Sequence, residues 1–256
     1  MFASLVTLVV RSLVQSGFPG TDGQHYSNNY GFAALNEENG SIVAWGDFEV
    51  DPPSNTDYRT TIYSNFYAFA ALNSNGTVTA WGSSLWGGEG APTDTGYTAL
   101  YSTRRAFAAI KVDGKVTAWG DSASGGSGAP TDNGYTAIYS TGSAFAAIKV
   151  DGKVTAWGDS ASGGSGAPTD NGYTAIYSTS GAFAALKKDG AVTVWGDSES
   201  GGSGAPTDDT GYIAIYSNER AFAAIKADGN ITGWGDSSYG GSGAPTDTGY
   251  TAIYST

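Results

Sequence analysis

A run of 36 residues occurs twice without a change, at Ala106–Thr141 and again at Ala144–Thr179, and looser copies of it fill most of the chain. A period of this size marks a repeat architecture, in which each copy is one supersecondary unit that buries its apolar faces only by stacking on its neighbours. A Trp-Gly pair marks the phase, with Trp at 45, 81, 119, 157, 195 and 234, spaced by 36, 38, 38, 38 and 39 residues. In the duplicated copy, Thr136–Ser140, Ala144–Lys149 and Lys153–Trp157 are rich in β-branched and aromatic residues and read as strands. Asp-Gly or Asn-Gly separates the second and third strands of every copy, at Asn39-Gly40, Asn75-Gly76, Asp113-Gly114, Asp151-Gly152, Asp189-Gly190 and Asp228-Gly229. Such pairs predict two-residue type I′ hairpins. The following GGSGAPT segment carries Pro92, Pro130, Pro168, Pro206 and Pro245, which confines it to an outer edge strand or an extended loop.

No helical period survives in any copy, and solenoid coils are shorter and lack a hairpin per turn. The expected fold is an all-β, seven-bladed β-propeller with blades of three to four antiparallel strands. Six full repeats of about 38 residues run from 24 to 248 within one domain, 1–256. The chain ends on the first strand of a further copy, Gly249 to Thr256, while Phe2-Ala3-Ser4-Leu5 resembles the second strand and Gly17-Phe18-Pro19 the proline segment. Residues 1–23 and 249–256 are therefore expected to share a seventh, composite blade that closes the ring and removes its free edges. A competing reading makes Phe2–Val10 the core of a signal peptide, against which stand the absence of Lys or Arg before it and Arg11 directly after it.

Composition narrows the function. Twelve basic against 24 acidic residues give a net charge of −12, which opposes nonspecific attraction to nucleic acid or an anionic membrane. No apolar run approaches the ~18 residues of a membrane span. Cysteine is absent, so disulfides and thiolate metal sites are excluded. Asn39-Gly40-Ser41, Asn75-Gly76-Thr77 and Asn230-Ile231-Thr232 fit the glycosylation triplet, yet such triplets arise readily in hairpins of this composition and imply no secretion.

The order of an apolar strand, a small-residue strand, DGxVxxWG and a Gly-rich loop resembles the repeat of the regulator of chromosome condensation family over residues 24 to 256. Its short-repeat members, among them a secreted bacterial β-lactamase inhibitor propeller, are the most similar in pattern. The resemblance implies a seven-bladed ring used as a protein-binding platform. The short repeats, the acidic charge and Phe and Ala in place of the family's frequent His-Ser pair imply neither nucleotide exchange nor chromatin binding.

The copies disagree mainly on one face. There lie the two residues after IYS and the segment after GDS, and even the identical copies are followed by different pairs, Gly142-Ser143 and Ser180-Gly181. The irregular positions carry Tyr30, Phe48, Phe66, Tyr67, Trp86, Arg104, Arg105, Glu219, Arg220 and Tyr239. Aromatic and Arg residues are the types enriched at binding hot spots, so this face is expected to bind a protein partner, against the plainer reading that unpacked loops drift freely. The alternative is a lectin-like carbohydrate binder using the repeated Tyr97, Tyr135, Tyr173, Tyr212 and Tyr250, with one equivalent site per blade.

Two rows of Asp recur, one after the third strand (Asp47, Asp121, Asp159, Asp197, Asp236) and one in the PTD segment (Asp22, Asp94, Asp132, Asp170, Asp208, Asp247). Both read as turn and loop acceptors, since Pro stands where a calcium-binding solenoid repeat needs Asp. The repeated Trp residues read as core, and Trp86, outside their series, as the exposed one. No metal, cofactor or catalytic residue is expected. The single His25 falls on a core strand, there is no nucleophile motif, and the acids Glu37, Glu38, Glu49, Asp51 and Asp57 gather without a defined pair.

Overall fold

The computed structural model describes residues 27–36, 40–53, 61–206 and 210–255. The described residues form six antiparallel sheets. The first holds β1 (Gly31–Asn36) and β2 (Ser41–Gly46), and the next holds β3 (Ile62–Ser64), β4 (Ala68–Leu72) and β5 (Val78–Gly82). Three-stranded meanders follow: β6 (Tyr97–Ser102), β7 (Ala106–Lys111) and β8 (Val116–Gly120); then β9 (Tyr135–Ser140), β10 (Ala144–Lys149) and β11 (Val154–Gly158). The last two are β12 (Tyr173–Ser178), β13 (Ala182–Lys187) and β14 (Val192–Gly196), and β15 (Tyr212–Ser217), β16 (Ala221–Lys226) and β17 (Ile231–Gly235).

Because strand side chains alternate between faces, each middle strand serves two neighbours. In β10, Ala144, Ala146 and Ile148 join Val154 in packing against Tyr173, Ile176, Phe183, Ala185 and Trp195 of the next sheet. The other face, Phe145 and Ala147 with Trp157, packs against Ala106, Ala108, Ile110 and Val116 of the preceding sheet. Phe and Trp sit opposite each other in the register, and their rings stack 5.1–5.4 Å apart in five successive sheets. Such a pair contributes about 0.5–1.5 kcal/mol beyond its area.

A single helical turn follows the third strand, at Ser84–Trp86, Ser122–Ser124, Ser160–Gly164, Ser198–Ser200 and Ser237–Tyr239. The turn places a glycine under the next sheet's ring pair. Trp119 Nε1 donates to the Gly87 carbonyl, Trp157 to Gly125 and Trp195 to Gly163, at 2.9–3.1 Å. Gly125 has φ 93°, and a Cβ there would lie 2.7 Å from the Phe145 ring.

Three expectations need correction. The hairpins are not type I′, which requires positive φ at both central residues. No described non-Gly residue has positive φ, and only Gly114 does so in its turn. Gly114 N–H donates to the Lys111 carbonyl and Lys111 N–H to Lys115, so Lys111–Gly114 is a tight turn closed by a left-handed glycine bulge. The proline segments form no strand, so the blades have three strands, or two in the first sheet among the described residues. The described residues also show six sheets and not a closed seven-bladed ring. Residues 1–23 lie outside the description. Of the C-terminal segment, Gly249 N–H bonds the Asp228 carbonyl and Ser255 Oγ the Ser217 carbonyl, the bonds a first strand makes elsewhere, and among the described residues no second strand pairs with it.

The glycine under the ring pair is testable in urea unfolding. Gly125→Ala is expected to cost about 2 kcal/mol or more, from backbone strain plus ring displacement. Gly134→Ala, where φ is 86° and nothing lies within 4 Å of the added methyl, is expected to cost about 1 kcal/mol. Equal losses would show that the Phe145 contact carries no weight.

Candidate binding face

The irregular pair after each first strand is anchored by its backbone. The first residue of each pair is linked to the next repeat, Asn29 N–H to the Phe66 carbonyl, Phe66 to Arg104, Arg104 to Gly142, Gly142 to Ser180 and Ser180 to Glu219, at 2.8–3.2 Å. One column of hydrogen bonds thus runs through all six sheets. The second residue of each pair accepts from the residue after the third strand, as Tyr67 does from Ser83 N–H, Arg105 from Asp121 and Arg220 from Asp236. From pair to pair the backbone bonds repeat and only the side chains differ.

The residue before each pair is a polar pin that the sequence reading did not single out. Thr141 Oγ1 accepts from Ala144 N–H at 3.1 Å and donates to the Ser162 carbonyl at 2.9 Å, tying the two loops of the face together. Thr103 and Thr179 repeat this, while Asn65 and Asn218 do it with an amide that reaches the carbonyls of Trp86 and Tyr239 at 2.7 Å. The signal available was that Asn28, Asn65, Thr103, Thr141, Thr179 and Asn218 are always Asn or Thr.

The helical turns are capped by carboxylates. Asp121, Asp159 and Asp197 accept from the N–H two residues on and from the hydroxyls of Ser124, Ser162 and Ser200. Where Ser83 replaces Asp, Glu49 of the preceding repeat supplies the cap, with Oε1 2.7 Å from Ser84 Oγ and Oε2 2.9 Å from Ser84 N. These bonds hold its carboxyl below the ordinary value of 4.5.

The expected binding residues fall into two groups. In the first, Tyr30 and Tyr67 rings lie 5.5 Å apart, Tyr67 and Trp86 3.7 Å apart, and the Arg105 guanidinium stands 5.3 Å over Trp86. Phe66 lies edge-on to Tyr67 under Arg104, 5.9 Å from its ring centre. Phe48 is turned partly inward, edge-on to Phe69 of the core. In the second group Arg220 covers Tyr239 at 5.8 Å, beside Glu219. Between the groups the irregular pairs are Gly142-Ser143 and Ser180-Gly181. Trp86 is half-buried in its stack, contrary to expectation, and the exposed Trp is Trp45 at 53 %, stacked on Phe32 on the open side of the first sheet.

The opposite face is regular. Tyr97 donates its hydroxyl to Asp94, whose other oxygen takes Lys111 Nζ at 2.5 Å, and the ammonium lies 4.8 Å over the Tyr97 ring. Tyr135, Asp132 and Lys149, and Tyr173, Asp170 and Lys187, repeat the triad. Burial pushes the Tyr97 hydroxyl up to about 12, and the lysine partner lowers each Asp. Of the rings assigned to a lectin, Tyr97, Tyr135, Tyr173 and Tyr212 are buried and offer no face to a sugar, whereas Tyr250 is exposed. Among the described residues no group of three or more His, Cys, Asp or Glu could hold a metal, and no helix is long and apolar enough to cross a membrane. Asp51 is exposed; His25, Glu37, Glu38, Asp57, Asp22 and Asp208 lie outside the described residues.

No protein-family model and no curated protein matches the chain. Among solved structures it is similar to the entire ectodomain of the receptor kinase CR4 from Physcomitrella patens, at 17 % identity and a TM-score of 0.54, over 82 % of this chain and 60 % of that one. It is similar also to the CRINKLY WD40 ectodomain of the receptor kinase ACR4 from Arabidopsis thaliana, at 17 % identity and a TM-score of 0.52, over 81 % and 77 % of the two chains. Prp20p from Saccharomyces cerevisiae aligns at 17 % identity and a TM-score of 0.48, over 87 % and 74 %. The two ectodomains establish the fold as that of a repeat β-propeller. The chain spans less than two thirds of the moss ectodomain.

Two outcomes test this construction. Thr141→Val strands the Ala144 N–H and the Ser162 carbonyl, and is expected to cost about 1–3 kcal/mol in chemical unfolding, while Thr141→Ser is expected to cost less than about half of that. Acidification tests the Glu49 cap. A carboxyl lowered in the folded state contributes stability that is complete above its unfolded value and lost as pH falls through the folded one. The fluorescence of the Trp86 turn should therefore change below pH 4.5 in the native chain, and this transition should be missing in Glu49→Gln.

Proposed function

We propose that the chain is a non-catalytic interaction module that binds a protein partner through the irregular face. The observation that carries this reading is the contrast between fixed backbone and varied side chain. The hydrogen-bond column and the Thr or Asn pins hold every pair in one conformation, yet the side chains displayed are Tyr30, Phe66, Tyr67, Arg104, Arg105, Arg220 and, from the segments after the third strands, Phe48, Trp86 and Tyr239. Rigid backbone lowers the ordering cost of association, and aromatic and Arg side chains supply the anchors. Glu219 fits the same reading as the acid beside Arg220. Binding would centre on the first group, with the second as a separate contact.

Closure of a seven-bladed ring by residues 1–23 and 249–256 belongs to the same proposal. It is supported by uncovered apolar surface at both ends of the array, Phe32 at 68 % exposed on the first sheet and Tyr254 at 92 % beyond the last. The short repeats favour the small inhibitor-type propellers over the longer members of the resembled family. The tyrosines Tyr97, Tyr135 and Tyr173 are buried and occupied by Asp and Lys, which leaves the lectin alternative short of the equivalent platforms it needs.

Affinity capture from a source extract, comparing the native chain with a Trp86→Ala, Phe66→Ala, Arg105→Ala variant of verified folding, tests the proposal. A protein retained by the first and lost by the second is the expected result. Retention of the same material by both, or elution by free sugar, would sink it.

A further inference from the structure

The first group of irregular side chains encloses a cleft of about 250 Å³, lined by Tyr30, Asp47, Phe48, Glu49, Tyr67, Ser83 and Trp86. Its walls are aromatic rings and its lip holds two carboxylates. Glu49 is committed to the Ser84 turn, whereas the exposed Asp47 carboxylate has no side-chain partner among the described residues. Arg105 stands over Trp86 but does not line the cleft.

The molecule itself demonstrates what this combination holds. On the opposite face a Tyr ring with an Asp beside it receives a lysine ammonium in three consecutive repeats, with Nζ 4.8–5.0 Å from the ring centre and 2.5–2.6 Å from the carboxylate. Both Arg105 and Arg220 likewise sit over aromatic rings. The ring quadrupole attracts a cation, and a nearby carboxylate removes the remaining desolvation cost. Among its described lining residues the cleft offers aromatic rings and a carboxylate and no cation, on a chain whose net charge is −12.

We propose that this cleft is the seat of one lysine or arginine side chain of the protein partner, its cation over the Tyr30 and Tyr67 rings and against the Asp47 carboxylate. This rests on the reading that the irregular face binds a protein. It assigns the cleft a cationic occupant and leaves Phe66, Trp86 and Arg105 as the surrounding contact.

The test uses the full chain labelled with nitrogen-15 and three capped pentapeptides, Gly-Gly-X-Gly-Gly, with lysine, arginine or norleucine at X. Saturable shifts of the Ser83 and Ser84 amides and the Trp86 indole are expected with lysine or arginine and not with norleucine, and they should weaken as salt is raised. Asp47→Asn, which keeps the shape of the cleft, and Tyr30→Leu, which removes one of its rings, should each weaken the interaction about threefold to fivefold. Equal shifts with norleucine, no shifts with any peptide, or titrations indifferent to both substitutions would overturn the assignment. If the partner captured through Trp86, Phe66 and Arg105 binds Asp47→Asn and Tyr30→Leu as tightly as the native chain, protein binding stands and the cation seat falls. If the charged peptides titrate as expected but no protein is retained, the seat stands and the partner reading falls.

Discussion

Everything in this array depends on how one sheet is seated on the next. A Phe and a Trp from paired strands stack, turn their common face toward the preceding sheet, and close over a left-handed glycine whose carbonyl takes the Trp Nε1 hydrogen. Side-chain stacking, apolar burial and one directional hydrogen bond thus coincide at a single point per repeat. The glycine makes this possible, because a methyl group there would occupy the space of the phenyl ring. Small residues do the complementary work on the other face, where Ala144 and Ala146 let the next ring pair approach closely. Sheets buried on both faces lose the polar alternation of a half-exposed strand, which is why the middle strand reads AFAAI.

Seating at that point leaves the loops to be fixed separately, and two devices do so. The column of backbone bonds from Asn29 to Glu219 joins the first irregular residue of each repeat to the next, and the tyrosines of the first strands add side-chain links, Tyr101 to the Ile138 backbone and Tyr139 to Ile176. The Thr and Asn pins then fasten the second loop to the first. Buried polar groups of this kind are costly unless satisfied, and Thr141 satisfies both a donor and an acceptor. The result is a face whose backbone repeats while its side chains do not. Substitution there changes what is displayed without changing where it is displayed.

Much of the architecture was legible because the signals were local and repeated. Three strands per copy and the core role of the Phe and Trp positions from the second copy on follow from pattern alone, whereas the proline segment reads equally as an edge strand or an extended loop. The hairpin type did not follow, since Asp-Gly serves both a type I′ turn and a turn with a glycine bulge, and the choice lies in Lys111 and Lys115, which bond each other outside the pair. The site was legible only in part. Irregularity located the face and its residues, but the stacking of Tyr67 on Trp86 depends on how two loops meet, so Trp86 read as exposed when its neighbour half covers it. Glu49 was invisible as a cap because it replaces an Asp missing from the following repeat, 34 residues away from Ser83. The pins were visible in principle, yet an invariant Thr or Asn beside a variable pair looks like any turn residue until its buried partners are known.

The distribution of charge separates the two faces by role. Every lysine of the chain lies at a hairpin, and in three consecutive sheets Lys111, Lys149 and Lys187, at the ends of the second strands, are taken up by the Asp and Tyr of the same repeat. The arginines among the described residues, Arg104, Arg105 and Arg220, all lie in irregular pairs, where they cover aromatic rings. A repeated face can present a partner only with the same contact many times, which weakens discrimination between registers. A face with one aromatic stack, one bare stretch of Gly and Ser, and one Arg–Tyr pair presents a single arrangement, and a partner that matches it has only one way to sit. On the proposed protein-binding reading, specificity would reside where the duplication was broken, while the unbroken positions supply the rigidity against which that difference can be read.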